Sequence, residues 1–331
     1  MRFSLIICTY MRPKAILKLA KSVQSQTLYP NEILIIDGST DDETEQILKQ
    51  HTFNNLVYHK VDDQHRGLTK QRNFGISKVS PTSEVVCFLD DDTILHADYF
   101  KQLLSTYDQY PNALGVGGYI NNEVQWQNTD GSSSSKRFYY DGWMRKEPLR
   151  FRVRKWFGLA PDTPPCYLPS FSHGRSVSFL PPSGKVYPVE QFMGGVSSYR
   201  TSVFDALHFS TYFEGYGLYE DTDFCLRLAK KGELYVNTAA RLEHHHDQQG
   251  RPNKYKYGKM VIRNGWYIWK VKYPKPNLKA QIKWHLTAIL LLKLTFLGVI
   301  TNKKKSEAFN EGFGRFVGWL SLIIDRPKIE R

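Results

Sequence analysis

Cysteine is scarce in this chain, acidic residues are outnumbered by basic ones, and no uninterrupted apolar run is long enough to cross a bilayer. The four cysteines, Cys8, Cys87, Cys166 and Cys225, have neither disulfide-like nor metal-like spacing. They read as reduced core residues of a cytoplasmic protein. Before Met11-Arg12-Pro13 only Phe3 to Cys8 is apolar, too short for a signal-peptide core, so no secretion signal is expected. The stretch Leu286 to Ile300 has fifteen residues and contains Lys293, short of the roughly 20 that a spanning helix needs. A buried or interfacial helix is expected there. The segment Gly67 to Gly75 lacks the Gly-Lys-Ser/Thr of a phosphate-cradling loop, and no internal repeat is present.

What remains is a chain of 331 residues, 41% hydrophobic, with 45 Lys plus Arg against 32 Asp plus Glu. That length allows one substantial core and an appended region of roughly 80–100 residues. The net charge of +13 favours an anionic partner such as a nucleotide, a nucleic acid or an acidic lipid. The charge is uneven, since acidic residues gather before Asp98 and Arg251 to Arg331 is rich in Lys and Arg.

The first hundred residues alternate short apolar runs with helical patterns, the signature of a parallel sheet covered by helices. Strands are predicted at Phe3 to Cys8, Glu32 to Asp37, Leu56 to His59 and Val85 to Asp90, with helices at Lys14 to Ser25, Thr44 to His51, Leu68 to Val79 and Ala97 to Tyr110. From about Asn121 to Pro188 a serine run, proline pairs and scattered aromatics predict long loops. A helix near Thr201 to Leu207, another from Glu220 through Lys231, a short strand at Glu233 to Val236 and a basic helical remainder follow.

In open sheets of this kind the ligand crevice lies beyond the carboxyl ends of the strands. Those positions hold Thr9-Tyr10, Asp37-Gly38-Ser39-Thr40 and Asp90-Asp91-Asp92. Three consecutive carboxylates repel one another unless a cation or a donor network compensates. Hard oxygen ligands suit Mg2+ or Mn2+, although a solvated acidic helix cap would use the same residues. Glu220-Asp221-x-Asp223 fits either a helix first turn or a general base for an attacking hydroxyl. The run Glu243-His244-His245-His246-Asp247 supplies imidazoles for a divalent ion or is a surface cluster. Arg72, on the helix opened by Gly67, is placed to reach a nucleotide.

Taken in order, Ser4 to Arg12, Ile35 to Asp41, Gly67 to Gly75, Phe88 to Asp92, and Gly194-Gly195 with Glu220 to Asp223 resemble the motifs of family 2 glycosyltransferases. The resemblance covers Phe3 to about Arg251, and one Asp of the usual second-strand pair is absent. It implies an α/β fold of the GT-A type, a Rossmann-like, mostly parallel sheet flanked by helices, here with a basic C-terminal helical extension. It also implies inverting transfer of a hexose from a nucleotide-sugar, by default UDP-linked, to a glycan or lipid-linked glycan hydroxyl, with Mn2+ or Mg2+. Thr9, Asp37 and Arg72 would hold the base, Asp91 the ribose, Asp92 the metal and Asp221 the acceptor hydroxyl. His244 or His246 would complete the metal site. Tyr10, Arg12, Asp90 and Gly195 join the donor-binding group, and Glu220 stands beside Asp221 as a catalytic candidate.

The expected division is 1–250 as catalytic domain, with a nucleotide-sugar half at 1–119 and an acceptor-side half at 120–250, and 251–331 as a basic helical region in peripheral contact with an anionic membrane at its inner face. Capsule, lipopolysaccharide or exopolysaccharide assembly would be a suitable setting. A nucleotidyltransferase also uses acidic residues on such a sheet, but Thr9 to Pro13 lacks its Gly-rich, Lys-containing loop. A basic nucleic-acid binder is the other alternative; the acidic triplet would repel a polyanion, so no nucleic-acid partner is expected.

Overall fold

The computed structural model describes residues 1–129, 131, 133–213, 215–245, 252–301 and 303–329. In chain order the elements are β1 (Phe3–Thr9), α1 (Pro13–Gln24), β2 (Glu32–Asp37), α2 (Glu43–Lys49), β3 (Leu56–Lys60), α3 (Leu68–Ile76), β4 (Val85–Asp90), β5 (Thr93–Leu95), α4 (Tyr99–Gln109), β6 (Ala113–Ile120), β7 (Gln127–Asn128), β8 (Arg137–Tyr140), β9 (Trp143–Lys146), α5 (Leu149–Trp156), β10 (Val186–Val189), β11 (Val196–Arg200), α6 (Glu220–Leu228), β12 (Glu233–His244), α7 (Lys254–Lys272), α8 (Leu278–Thr301) and α9 (Lys305–Ile324). They fall into two compact units, 1–125 with 180–250, and 126–179 with 251–331.

The first unit is a nine-stranded sheet in the order β10-β12-β6-β11-β4-β1-β2-β3, with β5 paired to β12. β1, β2 and β4 are buried almost throughout, as runs of Ile, Leu and Val must be when helices cover both faces. β1 to β4 pair in parallel as expected. The insertion of β11, antiparallel to both β4 and β6, makes the complete sheet mixed. α1 starts with Pro13 in its first turn, where a missing N–H costs nothing. It buries Ile16, Leu19, Ala20 and Val23 in the core that also takes Leu5, Ile7, Phe100 and Leu103.

The second unit carries a small antiparallel sheet, β7-β9-β8, beside α5, α7, α8 and α9. This corrects two expectations. Residues 121–188 are not loop throughout, because Phe138, Phe151 and Phe179 pack edge to face and Arg175 lies over the rings of Phe138 and Phe151. Nor does that segment belong with 180–250: Leu159 and Phe171 share a core with Ile262, Trp266, Trp269 and Trp284 of the C-terminal helices. α8 is also longer than its apolar run suggested. At 24 residues, with mean hydropathy 1.7, it has the length and composition to cross a bilayer, yet only 22% of that apolar window is buried.

α7 and α9 approach so closely that a Cβ on Gly258 would overlap the Glu311 carbonyl, and one on Gly314 the Tyr255 carbonyl. Gly258→Ala is expected to cost about 1–3 kcal/mol through this overpacking. The check is the urea midpoint of the full chain, which should fall.

Candidate functional site

The carboxyl ends of β1, β2 and β4 bring the sequence candidates into two connected groups within the first unit. In the first, Thr9 Oγ1 donates to Asp91 Oδ2 at 2.6 Å, and Arg12 Nη1 reaches Asp91 Oδ1 at 2.9 Å and Asp92 Oδ2 at 3.5 Å. The Cys8↔Asp90 register of β1 and β4 dictates this meeting, since it sets the two strand ends side by side. Burial pushes the Asp91 carboxyl up to about 6, against the pull of Arg12 and Thr9. Tyr10 is exposed beside this group.

Asp37 is fully buried, accepting from the Tyr58 hydroxyl at 2.7 Å and from the Ser39 amide at 2.7 Å. Next to it a depression of about 570 Å3 is lined by Ser39, Thr40, Lys60, Asp62 and Arg66, among others. Gln71, which the sequence did not single out, ties β1 to β2 by donating to the carbonyls of Thr9 and Ile36 at 3.0 and 2.8 Å.

The metal candidates meet through strand pairing. β12 runs antiparallel to β5 with His244 opposite Thr93, and the His245 amide donates to the Asp92 carbonyl at 2.9 Å. His244 Nε2 consequently lies 2.9 Å from Asp92 Oδ1, while its Nδ1 lies 3.2 Å from Glu123 Oε1. Burial pulls the His244 pKa down, but the hydrogen bonds from Asp92 and Glu123 outweigh it and carry the imidazole to about 10. Asn122 clamps the same residue, exchanging two 3.0 Å hydrogen bonds with the His244 backbone. Neither Asn122 nor Glu123 was foreseen, because nothing local marks a residue that acts across a 121-residue gap. His246 lies outside the described residues.

These side chains fit a divalent ion. Asp92 and His244 already place a carboxylate oxygen and an imidazole nitrogen together, and Glu123 holds the second ring nitrogen as an outer partner of a ligating histidine does. No group of three or more His, Cys, Asp or Glu residues is arranged to hold a metal among the described residues. That suits ions that take one or two protein ligands and fill their sphere with phosphate oxygens and water. Glu123→Gln is expected to weaken apparent Mn2+ affinity about 10–100-fold, measured by titrating Mn2+ in the presence of nucleoside diphosphate.

The second group centres on Arg72, which is buried and paired with Glu220 Oε1 at 2.8 Å and with Asp90 Oδ1 at 3.6 Å. Its guanidinium lies over the rings of Phe209 and Phe88. Burial and the adjacent Asp221 push the Glu220 carboxyl up, and Arg72 opposes them. Gly195 accepts from the Asp90 amide at 3.0 Å, and a Cβ there would overlap the Asp90 carboxyl, so glycine is required for the approach. Asp221, in the first turn of α6, accepts from the Gly194 amide at 3.1 Å and the Thr222 amide at 2.6 Å, and burial raises its pKa. Asp223 is fully buried and its Oδ2 is bound to Arg227 at 2.7 Å.

The comparisons with known proteins agree with this architecture. A model described as "Glycosyl transferase family 2" matches residues 4–168, and one described as "N-terminal domain of galactosyltransferase" matches 174–255. The glucosyl-dolichyl phosphate glucuronosyltransferase of Haloferax volcanii is 29% identical over 123 residues, 36% of this chain and 38% of that protein. The glycosyltransferase GlyA of Streptococcus pneumoniae serotype 4 is 24% identical over 118 residues, 36% of this chain and 17% of that protein. The chain thus matches well under half the length of these curated relatives. A crystal structure of GalNAc-T7 with UDP, GalNAc and Mn2+ superposes with a TM-score of 0.53 at 14% identity, covering 81% of this chain and 47% of that one, which shows a shared GT-A fold. The matched models show that residues 4–168 form a glycosyl transferase family 2 domain, followed at 174–255 by a segment that matches the N-terminal domain of galactosyltransferase.

Proposed function

We propose that the chain is a glycosyltransferase that moves a sugar from a nucleotide-sugar, UDP-linked in the first instance, to a hydroxyl of a glycan or lipid-linked glycan by a single inverting displacement. The observation that carries this reading is the convergence on one sheet edge of two separate acidic sets, Asp91 and Asp92 with Arg12 and His244, and Asp221 held by the Gly194 amide.

The two sets suit two ends of one reaction. Thr9, Asp37 and the depression beside Ser39 would take the nucleoside, and Asp91 the ribose. Asp92 and His244 would hold a divalent cation, whose charge offsets that developing on the departing nucleoside diphosphate; the GalNAc-T7 structure pairs UDP with Mn2+ in the same fold. Asp221 would accept the proton of the acceptor hydroxyl as its oxygen attacks the anomeric carbon. Arg72 takes a different part from the base contact first expected of it. Buried between Asp90 and Glu220, it ties the donor-side and acceptor-side acids together and keeps their mutual repulsion in check.

Calorimetric titration of UDP, GDP and dTDP into the purified protein, with Mn2+ and with chelator, tests the donor half. Metal-dependent binding of one of them is expected. Binding of none, or equal binding in chelator, would remove the proposal.

A further inference from the structure

Exposed hydrophobic side chains are concentrated in one part of the chain. Among the described residues nineteen large hydrophobics are exposed, and fourteen of them belong to the second unit. Surface hydrophobics scattered singly need no explanation, but a contiguous set does.

On α9, Phe309, Phe313, Phe316, Leu320, Ile323 and Ile324 are exposed and recur at the spacing of one helix face. Ile324 is 90% exposed and Ile323 68%. On α8, Leu278, Ile282, Leu286, Leu297 and Ile300 form a second stripe by the same rule. The helices touch where Phe296 meets Phe309, with ring centroids 6.0 Å apart. Their other faces are committed to protein: Gly314 and Gly318 of α9 abut α7, and Ala280, Trp284 and Ala288 of α8 enter the core around Trp266. A third element repeats the pattern. α5, which packs against α8, exposes Leu149 and Trp156, followed by exposed Phe157, among Arg150, Arg152 and Lys155.

The charge around these stripes selects what covers them. From Leu278 to Lys328 there are nine Lys or Arg and three Asp or Glu. Apolar stripes bordered by cations, with a Trp and a Phe beside arginines, match the interface of a bilayer with anionic headgroups. An isologous contact with a second copy would instead place like charge against like charge.

We propose that α8, α9 and α5 form a membrane-docking face, with α8 and α9 lying in the plane of an anionic lipid surface, their apolar stripes among the acyl chains and their lysines and arginines at the headgroup phosphates. In this proposal α8 lies on the surface instead of spanning, because Ala280, Trp284 and Ala288 of its first half are packed on protein and Lys293 stands near the middle of its apolar half. α9 carries Glu307, Glu311 and Arg315 and rests on α7.

The test is co-sedimentation of the full chain with vesicles of phosphatidylcholine alone and with vesicles that also contain phosphatidylglycerol. Binding to the anionic vesicles that weakens with salt is expected. The double variant Ile323→Glu, Ile324→Glu should bind at least about tenfold more weakly, with circular dichroism and urea midpoint unchanged because both side chains are already exposed. Trp156→Glu on α5 should act in the same direction. Retention equal for wild type and variants, or wild type left in the supernatant with both vesicle types, would overturn the proposal. So would light scattering showing a wild-type dimer that the double variant converts to monomer, which would give the face to a second copy of the chain.

Discussion

Replacing Asp221 by Asn is expected to lower kcat by about 10²- to 10⁴-fold, the range lost with a general base, while nucleoside diphosphate binding stays near wild type. The substitution keeps the size of the side chain and its place in the first turn of α6. Its carbonyl oxygen can still accept from the Gly194 or Thr222 amide that now fixes the carboxylate at 3.1 and 2.6 Å. What it loses is an oxygen able to take a proton. A second readout separates this from a general disturbance. Burial raises the Asp221 pKa above its ordinary value, so with Asp221 as base activity falls as pH drops through that raised pKa, and the acid limb of kcat/KM lies above the usual carboxylate range. In the Asn variant that limb should disappear. Glu220→Gln should behave differently. Glu220 is buried against Arg72, and leaving that guanidinium half-paired in the interior disturbs stability as well as turnover. If Asp221→Asn turned over normally and Glu220→Gln did not, the roles assigned to the pair would have to be exchanged.

The second large effect is expected from Asp92→Ala, which should abolish the Mn2+-dependent part of nucleotide binding and reduce turnover to background. Asp92 supplies the carboxylate oxygen that stands 2.9 Å from the His244 imidazole, so its removal takes away the charged half of the proposed grip. Calorimetry with and without chelator reads this directly: the wild-type difference between the two conditions should vanish in the variant. His244→Ala removes an imidazole that must give up its proton before it can ligate, and should weaken Mn2+ binding with a smaller loss. Retention of full Mn2+-dependent affinity by Asp92→Ala would move the cation elsewhere, with the neighbouring Asp90 carboxylate the first alternative.

The parallel half of the sheet was legible because its chemistry is local. Leu5 to Cys8 and Val85 to Leu89 are unbroken apolar runs beside helical patterns, and both became buried strands ending at polar residues. The remaining strands carry weaker local signals. β6 reads Ala-Leu-Gly-Val-Gly-Gly-Tyr-Ile, and glycine weakens a strand reading. Here the glycines make room instead: a Cβ on Gly117 would press into the Phe192 ring and one on Gly118 into Tyr99. β11 places Ser197 and Ser198 in the core, which sequence pattern disfavours, and the structure satisfies them. Ser197 donates to the Gly194 carbonyl, and Ser198 donates to the Val116 carbonyl and lies 3.0 Å from the Tyr107 hydroxyl. The serines and prolines of residues 121–188 likewise masked α5, whose Phe151 and Val153 are buried by residues distant in the chain.

For the site, the sequence singled out Thr9, Arg12, Asp91, Asp92, His244, Gly195 and Asp221 as candidates; these residues lie at or just beyond the ends of β1, β4 and β12, at the start of α6 and just before β11. What order does not carry is which acid meets which base. That Arg72 engages Glu220 across 148 residues follows from tertiary packing alone, whereas the Asp223–Arg227 pair is an i,i+4 contact within α6 that spacing could have suggested.

β12 runs unbroken from Glu233 to His244, pairing with β10, β6 and β5 along its length. It therefore acts as a ruler, with the core at one end and His244, the proposed cation ligand, at the other. Because successive strand side chains alternate between faces, removing a single residue between Val236 and Arg241 would turn His244 away from Asp92 and bring His245 to that face instead. The register irregularity that separates Val236 from Arg241 along β6 takes up length at that point, so the histidine's reach is set by counting along the strand. A one-residue insertion there would put Glu243 in that slot and remove the imidazole, a one-residue deletion would put His245 there and keep one, and a two-residue change would shift His244 along the same face.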